Sequence, residues 1–116
     1  MRTITIKRER ALANFATPYY FMLDADMEKI PEKGERDEFL ESIEQYQPIF
    51  LPNGGSGKLE LDEKAHKLYG LFWTEKGIRK AEAYLVEEGN EDLKLTFVTD
   101  FDGNRRVSYI WKKEEC

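Results

Sequence analysis

The stretch His66-Lys-Leu-Tyr-Gly-Leu-Phe-Trp73 decides the fold. In an extended chain, side chains alternate between two faces. Leu68 and Phe72 then share one face, and Tyr69, Leu71 and Trp73 share the other. A strand that is apolar on both faces has to be covered on both. This segment therefore reads as a central strand.

The segments around it carry the same period. Lys58-Leu-Glu-Leu-Asp62 alternates cleanly, and so does Thr3-Ile-Thr-Ile-Lys-Arg8 with Ile4 and Ile6 on one face. Tyr19-Tyr-Phe-Met-Leu23 places Tyr19, Phe21 and Leu23 together, with Pro18 at the strand start. Residues 79–86 place Ala81, Ala83 and Leu85 together. Leu93, Leu95 and Phe97 share a face, as do Val107, Tyr109 and Trp111. Glu88-Gly-Asn-Glu91 and Phe101-Asp-Gly-Asn104 supply turn residues that accept positive φ, so both are read as hairpin turns. Pro52-Asn-Gly-Gly-Ser-Gly57 is a further turn or loop.

One segment has helical spacing. Phe39, Leu40, Ile43 and Tyr46 fall on one side of a helix over about 35–46, with Gly34 before it and Pro48 after it. Its acids sit toward the N-terminal turn, where they complement the helix dipole. A helix this short needs docking onto a sheet to persist. Residues 11–16 read either as a short helical turn or as a loose loop.

These readings predict a mainly β protein: an antiparallel β-sandwich of about seven strands with one short helix. The alternative is an α+β roll with the helix packed on one sheet. The 116 residues form one domain, with an acidic helical insert at about 25–48. Leu, Ile, Val and Phe make up about 24% of the chain, enough for a packed core.

Charge is unevenly placed. The chain carries a net charge of −5, yet residues 24–44 alone hold nine acids against three bases. The first ten residues hold Arg2, Lys7, Arg8 and Arg10 against Glu9. An acidic chain argues against nucleic acid as a partner. No apolar run approaches the length of a membrane helix, and Met1 to Lys7 contains no secretory h-region. The single cysteine, Cys116, cannot form an intrachain disulfide, which fits a reducing, cytoplasmic setting.

No cofactor, metal or catalytic set emerges. Gly54-Gly-Ser-Gly-Lys58 suggests a phosphate loop, but Pro52 stands at the first glycine position, Leu59 follows Lys58, and a strand follows rather than a helix. Asp24-Ala-Asp-Met-Glu28 and Asp100-Phe-Asp-Gly-Asn104 alternate oxygen ligands without the closing Glu of a calcium loop. His66 is the only histidine, too few for a zinc site, and reads as a polar residue at a strand start. The 23 acids offer many pairs, and no pair stands out in an apolar setting that would raise a pKa.

The aromatics are the remaining lead. Tyr69, Trp73, Tyr84, Tyr109 and Trp111 lie on neighbouring expected strands. Such rings either pack a core or anchor an interface. Tyr20-Phe-Met-Leu-Asp24, the run from Leu51 through Gly54-Gly-Ser-Gly57 to Tyr69, and Glu88-Gly-Asn-Glu-Asp-Leu-Lys-Leu-Thr96 together resemble small bacterial PEGA-like β-sandwich domains. The resemblance covers about residues 19–24 and 49–98, and residues 25–48 depart from it. It implies a sandwich without catalytic activity and supplies no site residues.

The expected function is that of a non-catalytic interaction or accessory domain acting through protein contacts. A small-ligand or carbohydrate-binding sandwich is the alternative. A ligand site predicts a pocket lined by Trp, whereas a protein site predicts a flat aromatic or edge-strand surface. A homodimer through an edge strand is expected, with Thr3 to Arg8 as a candidate edge and the acidic insert opposite it.

Overall fold

The computed structural model describes residues 1–10, 17–101 and 107–113. Nine strands build two sheets: β1 (Arg2–Arg8), β2 (Tyr19–Leu23), β3 (Ile49–Leu51), β4 (Ser56–Leu61), β5 (His66–Thr74), β6 (Gly77–Lys80), β7 (Tyr84–Val86), β8 (Leu93–Phe101) and β9 (Val107–Lys113). One sheet runs β4-β1-β8-β9. The other runs β3-β2-β5-β6, with β7 also on β5. Among the described residues, one α-helix, α1 (Arg36–Glu44), and a 3-10 turn at Met27–Lys29 lie in the insert. The molecule is thus a β-sandwich with one short helix. Among the described residues no helix is long and apolar enough to cross a membrane.

β5 is the central strand that its sequence predicts, with β2 on one edge and β6 and β7 sharing the other. Leu68 and Phe72 enter the core between the sheets, beside Ile4, Ile6, Tyr19, Phe21, Leu95 and Phe97. Leu71 enters a second core with Met22, Phe39, Ile43 and Ile78, against which Tyr69 and Trp73 pack. The insert is therefore a third layer, roofing the outer face of the β5 sheet. β2 alternates in the same way, Tyr19 and Phe21 inward and Met22 outward. Phe21 pairs directly with Gly70, and a methyl group there would come within 3.0 Å of its ring. Glycine at 70 lets the ring lie against the strand.

The structure departs from the sequence expectations at several points. β1 is internal, paired with β4 on one side and β8 on the other, so it is no edge. Its pairing with β8 is parallel, the one parallel pair among the described strands. The flanking arginines, Arg2 and Arg8, turn inward with Ile4 and Ile6, whereas Lys7 stays exposed. Arg8 is buried, stacks 3.5 Å over the Tyr19 ring, and donates to the carbonyls of Thr17 (2.6 Å) and Leu51 (2.9 Å). Burial lowers its pKa from the ordinary arginine value, an effect opposed by Tyr19. Arg2 donates to the carbonyls of Asp62 (3.0 Å) and Lys64 (2.8 Å), closing the turn between β4 and β5.

Residues 79–86 form two short strands rather than one. The ladder to β5 lapses after Ala81, where the Glu82 carbonyl instead accepts the Trp111 indole N–H at 3.0 Å. The Glu88–Glu91 turn is a crossover, not a hairpin, because β7 belongs to one sheet and β8 to the other. Strand β3, three residues long, carries too little alternation to be visible beforehand. β8 and β9 do pair as an antiparallel ladder. Residues 11–16, most of the Phe101–Asn104 turn and Cys116 lie outside the described residues.

Candidate functional site

Where α1 meets the end of β5, the roof stops short and leaves a cleft of about 960 Å³. Three elements wall it. The first turns of α1 bring Arg36, Phe39 and Leu40. The start of β2 brings Tyr20, preceded by Thr17 and Pro18. The β5–β6 hairpin brings Trp73, Thr74, Glu75, Lys76 and Arg79, while Phe72 and Tyr109 reach it from the inter-sheet side. The volume lies in the range of small-molecule sites, about 300–1,000 Å³.

The aromatic part is held in place by packing. Phe39 and Phe72 are buried, and Tyr20 meets Phe39 edge-on at 5.6 Å. Tyr109 meets Phe72 at 5.4 Å and Phe97 at 6.0 Å. The Trp73 indole N–H donates to the Gly34 carbonyl at 2.9 Å, which fixes the ring against the insert. Around these rings stand three cations, Arg36, Lys76 and Arg79, all exposed, against one acid, Glu75. In a chain of net charge −5 this is a local reversal of sign.

A second constellation lies at the root of the insert. The His66 Nδ1 bonds the Asp24 carboxylate, and Nε2 lies 2.6 Å from Asp62 Oδ1. Asp24 also accepts the Lys67 amide at 3.0 Å and has φ +54, a left-handed conformation that Asp tolerates better than most residues. Asp62 accepts the Lys64 amide at 3.0 Å. The hydrogen bond to Asp24, then that to Asp62, raises the His66 pKa against an opposing burial effect. The bond from His66 lowers that of Asp62. Only the imidazolium can donate from both nitrogens at once. With both nitrogens taken by carboxylates, neither is placed to accept a proton from a nucleophile. Among the described residues no group of three or more His, Cys, Asp or Glu is placed to hold a metal ion.

The five aromatics singled out in the sequence do not form one surface. Tyr69 and Trp73 lie on the insert side of β5. Tyr84, Tyr109 and Trp111 pack on the inter-sheet core, with Tyr84 and Trp111 6.2 Å apart. Only Trp73 and Tyr109 reach the cleft. The sequence reading missed Tyr20, Arg36, Lys76 and Arg79. Arg36 and Arg79 are far apart in sequence, and only the docking of α1 on the sheet joins them. The pairing of His66 with Asp62 had a signal in its four-residue spacing, whereas Asp24 had none. Comparison with protein families, with curated proteins and with solved structures returns no match to this chain.

Proposed function

We propose that this chain is a non-catalytic binding module and that the cleft takes a small organic anion with a flat apolar body. The observation that supports it most is Arg36, Lys76 and Arg79 gathered around an aromatic floor. Guanidinium groups grip carboxylate or phosphate through two parallel N–H donors. Tyr20, Trp73 and Tyr109 offer ring surface for the apolar part. Three cations favour an anion over a neutral sugar.

The two tryptophans make the test direct. An amide–proton correlation spectrum gives one indole signal for Trp73 in the cleft and one for Trp111 outside it. Titration with 1-naphthoate is expected to move the Trp73 signal saturably and to leave Trp111 in place. Neutral 1-naphthamide should bind about tenfold more weakly, and Arg79→Ala should weaken naphthoate by a similar factor, since one charge-assisted contact is at stake. Shifts of both indoles together, or none at millimolar naphthoate, would refute the cleft as an anion site.

A second reading retains protein contacts. β3 is an edge strand, and Phe50 on it is 64% exposed. An exposed edge with an apolar anchor is suited to strand addition by a partner or by a second copy. Phe50→Lys should abolish such pairing, read by sedimentation of the chain alone and with captured partners, without touching naphthoate binding.

A further inference from the structure

The outer face of the β4-β1-β8-β9 sheet is a second surface, separate from the cleft. Ile4, Ile6, Leu59, Leu61, Leu95 and Phe97 point into the core, so their neighbours point out. The register sets the outward residues in rows. Lys58, Thr5 and Lys94 form one row, and Ser56, Lys7, Thr96 and Lys112 form the next. Each of the four strands thus presents one lysine, all four exposed. Neighbouring strands lie about 4.8 Å apart, so the four ammonium groups zigzag across about 14 Å of flat sheet. Among the described residues none of the four makes an ion pair. Glu60 lies one row beyond, opposite Thr3.

The same molecule carries the complement on its far side. Phe39 and Ile43 seat α1 on the sheet. At 100° per residue, Glu41 then projects directly away from it, with Asp37 and Glu44 on its flank, and all three are exposed. Their spacing along the axis is about 6.0 and 4.5 Å at 1.5 Å per residue. That spacing is commensurate with one lysine per strand. We propose that the lysine face docks the α1 acidic ridge of a second copy, the helix lying across the four strands.

The two surfaces lie on opposite outer layers, separated by both sheets. A closed two-fold dimer, in which one patch meets itself, cannot satisfy both. The contact is heterologous: each copy offers its lysine face to one neighbour and its ridge to the other, and assembly continues past two. Exposed ion pairs are individually weak, so association belongs to high protein concentration and low salt.

Sedimentation velocity over a range of concentrations tests this. At low salt the weight-average sedimentation coefficient should keep rising with concentration rather than level off at a dimer. Raising salt toward 1 M, where the Debye length falls to about 3 Å, should weaken association by about tenfold or more. A variant carrying Lys7→Glu, Lys58→Glu, Lys94→Glu and Lys112→Glu should be monomeric. So should one carrying Asp37→Lys, Glu41→Lys and Glu44→Lys. Mixed, the two should associate again, because the reversed ridge fits the reversed face. All seven positions are exposed, and thermal melts establish that each variant is folded before it is mixed. A monomer at hundreds of micromolar in low salt, a plateau at a dimer, or no recovery on mixing would each overturn the proposal. Retention on heparin by a chain that stays monomeric would give the face to a polyanion and overturn it too.

Discussion

The two faces of the β5 sheet are covered by different means. Its inner face meets a second sheet, and the joint is filled by rings: Phe97 alone packs against Tyr19, Phe21, Tyr109 and Trp111 at 4.6 to 6.0 Å. Its outer face meets a nine-residue helix on irregular chain. That roof is held by Phe39 and Ile43 and by scattered polar ties. The Lys80 ammonium donates to the Ile30 carbonyl (3.2 Å), the Ile78 amide to Glu32 (2.8 Å), and the Asp26 amide to the Tyr46 hydroxyl (3.1 Å). A sheet covers a face continuously, whereas one helix covers a stripe. The cleft is what the stripe leaves open, so the less complete cover is also the one that offers a site.

If the two covers differ in this way, deleting a ring from each should have different reach. Phe97→Ala should cost about 3–5 kcal/mol and unfold both sheets together. Phe39→Ala removes a ring of the same size from the roof. It should strip hydrogen-exchange protection from α1 while β1 and β8 keep most of theirs, as expected of a locally opening unit. Equal loss of protection in α1, β1 and β8 for both variants would make the molecule one cooperative block and end the distinction.

Arg8 sharpens the sheet side of the comparison. Its guanidinium donates to the carbonyls of Thr17 and Leu51, the second of these bonds fully buried. Arg8→Met keeps the stem and abandons both carbonyls, with an expected loss of about 2–3 kcal/mol. Urea denaturation should show a lower midpoint with an unchanged slope.

The roof side has a pH-dependent tie. His66 bonded to Asp24 ties the residue that leads into the insert to β5. Its folded pKa is raised, so its contribution is complete below the unfolded value near 6.5 and fades as pH rises through the folded value. Asp62 has a lowered folded pKa, so its share is present above about 3.9 and fades as pH falls through the folded value. The tie is therefore strongest in mildly acidic solution. His66→Gln should lower stability by about 1 kcal/mol near pH 5.5 and by much less near pH 9. Thermal melts across that range decide it, and a pH-independent difference would show that His66 acts by packing alone.

What the sequence disclosed followed from periodicity. The two-faced apolar pattern of residues 66–73 placed β5 at the centre, and Phe39, Leu40 and Ile43 announced α1. What it concealed followed from topology. Alternation in Thr3 to Arg8 says that one face is buried, not how many neighbours the strand has, so β1 read equally well as an edge. Arg2 and Arg8 shared parity with Ile4 and Ile6, a hint of burial outweighed by their charge. Tyr20 and Arg79 lie on different strands, and Arg36 on a helix, with no local rule joining them. The cleft is a product of how the insert lands, which no single segment encodes.

The smallest expected effect sits where that insert returns to the sheet. Gln47 has φ +51, in the left-handed region, and its amide donates to the Glu44 carbonyl at 3.1 Å as α1 ends. A side chain there costs about 1–2 kcal/mol that glycine does not incur. Glycine in turn loses about 0.5–1 kcal/mol of extra chain entropy on folding. Gln47→Gly should therefore stabilise by about 0.5 kcal/mol. The same change at Asp24, the other non-glycine residue with positive φ among those described, should destabilise instead, because it removes the carboxylate that holds His66. Hydrogen exchange separates where the gain falls. If the roof opens by itself, Gln47→Gly should slow α1 amides about twofold and leave β8 unchanged. Equal slowing of both would mean that helix and sheets open only together.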